Sequence, residues 1–379
     1  MELYVHLPFC RSKCSYCDFP SFAGCEGSMA PYIDALLTEA EQYPEGTSIE
    51  TVFFGGGTPS LLPAPLLKKL LHGLRARFDW AADAEVTAEA NPGTLTEEWL
   101  AAAVEGGINR LSMGMQAAQS RLLKTLGRIH QWDDVRQSVA SARAVGINNL
   151  NLDLMFGLPD QSMDDWHESL DAALSLQPRH ISAYGLILEE GTPLFRLHEQ
   201  GKLHLPDEET ERAMYDLAQT VLSEHGLEPY ELSNFALPGF ACRHNIGYWR
   251  QIPYIGLGSS AASMLPSDRR DAAYLRTANP PSLADYLHMV QHAAWNRREV
   301  QPISRREAMF ETMMLGLRMN QGVAESDFLA THRQSLDAVY GIKLRALERQ
   351  GLLLHENGCW CLTRYGMDVQ NAVLVELMD

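Results

Sequence analysis

The stretch YVHLPFCRSKCSYCDF, Tyr4 to Phe19, places three cysteines, Cys10, Cys14 and Cys17, within eight residues. Structural zinc sites close with four ligands, commonly as two CxxC knuckles. No second knuckle follows here: Cys25 is eight residues beyond Cys17, and Cys242 is far away in sequence. An iron–sulfur cluster takes one thiolate per iron, so three cysteines leave one iron of a four-iron cluster without a protein ligand. Such an open position is where a substrate or cofactor reaches a metal. Three reduced thiols in a loop with no metal are the alternative that the spacing alone leaves standing.

Composition narrows the class. The chain has 379 residues, 46% hydrophobic and 21% charged, enough for two domains or one large barrel with an appendage. With 48 acidic against 31 basic residues, the net charge of -17 argues against a nucleic-acid partner, whose phosphates would be repelled. The apolar runs fall short of the roughly 20 residues a membrane span needs. The start MELYVHLPF lacks the basic opening and the small-residue cleavage site of a secretory signal. Seven cysteines, an odd number, suit a reducing compartment and a metal site better than a disulfide framework. These features predict a cytoplasmic protein without a membrane span; peripheral membrane contact and a monomeric or homodimeric state stay open.

Beyond the cysteine loop, apolar runs at 51–57, 84–90, 110–115, 149–157 and 180–187 alternate with helix-like segments such as 65–78, 96–107 and 163–176. With LYVHLPF as the first strand, this predicts six βα units around a parallel sheet with right-handed crossovers. Functional residues in such folds collect at the C-terminal strand ends. GGGTP (Gly55–Pro59) ends the second strand, and reads either as an ordinary turn or as backbone opened to a ligand, with Thr58 adding a hydroxyl. Glu89, Gln116, Arg128 and Asp153 fall at or just beyond the ends of the next three strands. Each reads as a solvated or capping polar residue, or as part of a set that holds a ligand bearing a carboxylate and hydroxyls.

CRSKCSYC, with Tyr16 directly before the third cysteine, resembles the CxxxCxΦC signature (Φ aromatic) of radical S-adenosylmethionine (SAM) enzymes. The resemblance implies an α/β fold, the partial (β/α)6 barrel, and a [4Fe-4S] cluster on Cys10, Cys14 and Cys17. In that family SAM chelates the open iron, and an electron from the cluster cleaves it to methionine and a 5'-deoxyadenosyl radical. YVHLPFC, FFGGGTPSLL, EANPGT, RLSMGMQ, LGRIH, NLDLMFGLPDQ and YIGLGSSAAS resemble, in order, the coproporphyrinogen-dehydrogenase branch. That likeness implies a SAM site lined by Tyr4, Gly56, Gly57, Thr58, Glu89, Gln116, Arg128 and Asp153, together with the signature aromatic Tyr16.

Two subgroups share these motifs. The oxygen-independent coproporphyrinogen III dehydrogenases carry a long N-terminal arm and a further cysteine two residues after the third, where this chain has Phe19. The HemW-type heme chaperones begin almost at the first strand and have CxxxCxxCxF and HNxxYW, as CRSKCSYCDF and HNIGYW (His244–Trp249) do here. The second resemblance implies heme as a third cofactor, heme donor and acceptor proteins as partners, and an electron donor if SAM is cleaved; whether it is cleaved stays open. His244 is the candidate axial ligand, with Tyr248 and Trp249 as flat apolar surface and Cys242 as an alternative thiolate. Read without the resemblance, His244 is a hydrogen-bonded loop residue above packed aromatics. After about residue 296, the segments 304–322 and 335–366 read as helices followed by a hairpin around ENG, resembling a small winged-helix-like domain. The expected organisation is a barrel core over 1–235, a connecting segment over 236–296 that carries HNIGYW, and the C-terminal domain over 297–379.

Overall fold

The computed structural model describes residues 1–378. Six parallel strands follow one another in chain order: β1 (Glu2–Leu7), β2 (Thr47–Gly56), β3 (Phe78–Ala90), β4 (Arg110–Gln116), β5 (Asn149–Phe156) and β6 (His180–Gly185). Helices α1 (Met29–Ala40), α2 (Ala64–Arg77), α3 (Glu97–Glu105), α4 (Trp132–Ala144) and α5 (Met163–Ser175) return the chain between them, and α6 (Glu208–Glu224) follows β6. Local sequence sets the helix starts. The Thr96 side chain accepts from Trp99 N, and Ser162 forms a reciprocal capping box with Asp165. In α2, Leu67, Leu70, Leu71 and Leu74 recur at helical spacing and are buried against the core.

Each strand divides its residues between two faces. On β1, Leu3, Val5 and Leu7 are fully buried among the helices, each worth about 1.5–3 kcal/mol on removal from water. The alternate positions look into the barrel. Along β4 these are Arg110, Ser112, Gly114 and Gln116, along β5 Asn151, Asp153 and Met155, and along β6 Ser182 and Tyr184, all of which line one cavity.

The sheet runs on past both edges of the six strands. Strands β7 (Glu228–Pro229) and β8 (Asn234–Ala236) flank β6, with β8 antiparallel to it. On the other side β9 (Tyr254–Leu257) pairs parallel with β1, followed by antiparallel β10 (Ala262–Pro266), β11 (Tyr274–Ala278) and β12 (Glu299–Ile303). The order is β12-β11-β10-β9-β1-β2-β3-β4-β5-β6-β8-β7, twelve strands in one sheet. The stretch between 236 and 296 is thus woven into the barrel sheet. Its attachment to α1 is polar and buried: Glu39 accepts from Arg298 (2.6 Å), Asn279 (2.7 Å) and Tyr286 (2.7 Å). Between β8 and β9, the short helix α7 (Arg243–Trp249) lies against Glu2 on β1, Thr51 on β2 and Glu85 on β3.

The C-terminal unit has its own core, with Met313, Leu317, Phe328, Leu344 and Trp360 buried together. It contains α8 (Arg305–Gly316), α9 (Glu325–His332) and α10 (Leu336–Arg349), with a three-stranded antiparallel sheet of β13 (Val323–Ala324), β14 (Leu353–Glu356) and β15 (Cys359–Leu362). This is the winged-helix-like arrangement expected. The helical reading of 304–322 ends early, at Gly316, because the chain turns through Gly322 (φ 64°) into β13. The Arg276–Glu311 ion pair (2.9 Å) ties the unit to the sheet extension.

Candidate metal and cofactor site

The loop after β1 carries Cys10, Cys14 and Cys17, all free thiols and half-buried at the upper, C-terminal end of the strands. Two neighbouring segments hold this loop. Gly57 N donates to Leu7 O (3.0 Å) and Thr58 N to Phe9 O (2.8 Å), so the GGGTP turn docks on the base of the loop. This is what the glycines serve. A Cβ at Gly56 (φ 104°) would collide with the His6 ring, and one at Gly57 would lie 2.7 Å from the carbonyls of Leu7 and Phe9. From the other side, Ser15 N donates to Leu126 O (2.9 Å), which fixes the loop to the segment that carries Arg128.

Arg128 connects the parts. Its guanidinium donates to the Gly114 carbonyl (2.6 Å) and Asn91 Oδ1 (2.8 Å), and lies 3.6 Å from Cys14 Sγ. Asn91 in turn donates to Thr58 Oγ1 (2.9 Å), whose hydroxyl is 3.7 Å from Cys10 Sγ. A chain of hydrogen bonds therefore links two of the three thiols through Thr58, Asn91 and Arg128. The sequence reading did not single out Asn91, although EANPG contains it.

Below the thiols a cavity of about 530 Å³ runs into the barrel, and it is lined by Cys10, Cys14, Tyr16, Cys17, Gly56, Gly57, Thr58, Glu89, Gln116, Arg128 and Asp153 among others. Glu89 accepts from Gly56 N (3.1 Å). Desolvation first, and nearby Asp153 second, push its carboxyl up to about 7. Desolvation also raises Asp153, although Asn151 donates to it (2.7 Å). Gln116, in the left-handed region at φ 65°, accepts from the Tyr184 hydroxyl (3.0 Å) and so has its amide aimed by β6.

Two residues of the expected set stand apart from the lining of this cavity. Tyr4 does not line this cavity. Its hydroxyl bonds His6 Nδ1 (2.9 Å), and its ring faces a second cavity of about 370 Å³ bordered by Tyr248, Tyr254, Met264, Arg276 and Leu315. Tyr4 sits two positions before His6 on the same face of β1, stacks on Phe53 and lies close enough to Glu89 to feel its charge, while its hydroxyl orients the His6 ring that backs Gly56. His244 is also elsewhere, buried at 1% exposure beneath the cavity. Its Nδ1 pairs with Thr51 Oγ1 (2.7 Å) and its Nε2 with Tyr248 (3.1 Å), and its ring stacks on Phe53. Burial first, then Arg110, lowers its pKa to about 3. In this arrangement both His244 nitrogens are engaged, so neither is free for a heme iron. Cys242 is equally closed off: fully buried against Glu85, its thiol is pushed up to about 12 by desolvation.

The residues at the upper end suit an iron–sulfur cluster. Among the described residues no three His, Cys, Asp or Glu side chains converge on a point where one metal ion would sit. An iron–sulfur cluster takes one thiolate per iron, and this loop presents three thiols. The third thiol, on Cys17, opens onto the same cavity as the other two.

Comparison with known proteins agrees with this geometry. The Radical SAM superfamily model matches residues 4–173, and the HemN C-terminal domain model matches 303–369. The solved coproporphyrinogen III oxidase (HemN) of Escherichia coli, described as a radical SAM enzyme, superposes with a TM-score of 0.82 over 99% of this chain and 89% of its own, at 22% identity. Fold and site together define a radical SAM protein. Among curated relatives, the heme chaperone HemW of Bacillus subtilis is 35% identical over 98% of this chain and 97% of its own. That of Escherichia coli is 34% identical over 99% and 97%. The mitochondrial radical S-adenosyl methionine domain-containing protein 1 of Danio rerio is 34% identical over 95% and 83%. The chain belongs to the HemW family.

Proposed function

We propose that this protein is a heme chaperone that holds a [4Fe-4S] cluster on Cys10, Cys14 and Cys17, binds SAM in the cavity beneath them, and passes heme to apo-hemoproteins. The observation that carries this reading is the near end-to-end similarity to proteins named heme chaperones. The chain is 34% identical to the HemW of Escherichia coli but 22% identical to the coproporphyrinogen III oxidase of the same organism, over equal shares of its length. The solved oxidase at 22% identity shares the fold, while heme chaperones at 33–40% identity match the chain over most of its length, which favours the carrier over the dehydrogenase.

When bound, the cluster would supply an open iron for the amino and carboxylate groups of SAM. The chain's own residues divide the remaining work. Arg128 and Thr58 hold the cysteine loop at Cys14 and Cys10. Glu89, Gln116 and Asp153 present acceptors, and in Gln116 also an amide donor, along the cavity wall for the hydroxyls of a ribose. Phe19 and Ile187, 63% and 70% exposed, form an apolar rim at the mouth. Such a rim suits one face of a porphyrin.

No described helix is long and apolar enough to cross a membrane. The reading expects heme partners in the cytoplasm, with an electron donor only if SAM is cleaved. The deciding experiment incubates anaerobically reconstituted protein separately with heme and with coproporphyrinogen III. A stable heme complex with a Soret band, and no SAM-dependent loss of carboxyl groups from coproporphyrinogen III, is the expected result. Robust conversion to protoporphyrinogen IX overturns the proposal.

A further inference from the structure

At the bottom of the main cavity stands Arg110, the first residue of β4, at 2% exposure. Its guanidinium makes no hydrogen bond or ion pair among the described residues, and its Nε is buried without a partner. Glu85 and Asp153 are near enough to feel its charge, but both are engaged elsewhere. Glu85 receives Arg243 N (3.1 Å), His244 N (3.2 Å) and the Cys242 thiol, and Asp153 receives Asn151 and Ser112. Against desolvation, the neighbours of Arg110 balance its charge and raise its pKa, but its N–H donors have no acceptor, and buried donors left in that state are rare in native proteins. Two further groups face the same floor without side-chain partners: the Asn245 amide, presented by α7, and the Ser233 hydroxyl. Arg110 is separated from the cysteine end. Four residues along β4, at roughly 3.3 Å each, put it about 13 Å below Gly114, whose carbonyl holds Arg128.

We propose that the floor of the barrel is an anion subsite in which Arg110, with Asn245 and Ser233, receives the carboxylate of a small organic ligand lying in the lumen beneath the SAM position. A guanidinium offers a carboxylate two parallel N–H donors, and the amide and hydroxyl supply the remaining hydrogen bonds. Asp153 and Glu89 stand higher on the wall, and burial raises both carboxyls above their ordinary range. HNIGYW acquires a role in this arrangement: His244 anchors α7 while Asn245, its neighbour, looks up into the lumen. The subsite stands on Arg110 and its surroundings, and holds whether or not heme is the cargo.

The test uses trifluoroacetate as a carboxylate probe, followed by fluorine NMR on reconstituted full-length protein with its iron content checked. Trifluoroacetate should bind the parent protein, be displaced by propionate and not by propionamide, and remain bound when SAM is added. Arg110→Gln should weaken binding at least tenfold, and Arg110→Lys should retain part of it. Asn245→Ala, which leaves the buried cation in place, should weaken binding about threefold and serves if the Arg110 variants fail to fold. Absence of binding to the parent, equal binding to parent and Arg110→Gln or to parent and Asn245→Ala, displacement by propionamide, or displacement by SAM would each overturn the subsite.

Discussion

At the lower end of the barrel His244 has a partner on each ring nitrogen, Thr51 at 2.7 Å and Tyr248 at 3.1 Å, and Glu85 caps the start of α7. At the upper end Cys10 and Cys14 have only sulfur contacts at 3.7 and 3.6 Å, and all three loop cysteines face open space. The same kinds of side chain, histidine, cysteine and glutamate, occupy both ends. What separates them is whether the fold has already supplied their hydrogen bonds. A saturated buried group stabilises; an unsaturated one at a cavity wall is available to a ligand. By this measure His244 and Cys242 help close the barrel, whereas Asn245 beside them and CRSKCSYC above face its contents.

The largest effect should come from the cysteines. Cys10→Ala, Cys14→Ala or Cys17→Ala should each abolish a reconstituted cluster of about four irons, because each thiolate anchors one iron. Iron content should survive removal of Cys25, Cys242, Cys359 or Cys361. Dependence on any of these four would erase the contrast between the two ends.

The next effect belongs to the closed end. His244→Ala removes a buried ring and strands Thr51 and Tyr248, so it should cost about 2–4 kcal/mol of stability and lower the melting temperature while leaving iron content intact. A His244→Ala protein that melts like the parent but has an altered Soret band would return His244 to the role of heme ligand.

A third prediction sharpens the open end. Asp153→Asn should weaken SAM binding by about 1.5–3 kcal/mol in calorimetry, the range for a hydrogen bond to a charged group, without loss of iron. Unchanged affinity would make Asp153 part of the wall only. Arg128, which touches Cys14 Sγ, is a less clean probe, since its loss disturbs the cluster loop as well.

The smallest effect concerns pH. Glu89 is raised from 4.5 to about 7 and Glu2, beside α7, to about 8, both chiefly by desolvation. The folded protein holds these protons more tightly than the unfolded chain, so their contribution is complete below about pH 4.5 and is lost as pH rises toward 7 and 8. Glu89→Gln should flatten the fall in stability between pH 4.5 and 7 by about 1 kcal/mol, allowing for screening through the open cavity, while the further fall toward pH 8 persists until Glu2→Gln is added. Denaturant titrations across this range that are identical in parent and single variants would refute the assignment.

Much of the barrel was legible in the sequence because strands and helices announce themselves by period. The run 110–115 became Arg110–Gln116, 149–157 became Asn149–Phe156, and 163–176 became Met163–Ser175. The alternation Arg110, Ser112, Gly114, Gln116 was a second readable signal. Parallel strands covered on both faces are usually apolar throughout, so polar residues at every second position mark a lumen. Motif ends point to Glu89, Gln116 and Asp153, whereas only this period points to Arg110, Asn151 and Tyr184.

The sequence by itself determined the cysteine spacing, the order of strands and helices and the residues at the strand ends, because these are local patterns along the chain. Only the tertiary structure decided which end of the barrel each polar group serves. HNIGYW could not disclose that His244 meets Thr51, 193 residues away, nor could the sequence disclose that Tyr4 borders a second cavity with Tyr248 and Tyr254. Hydrogen-bond saturation is a property of neighbours distant in sequence, and it separates the residues that hold this fold from those left free to bind.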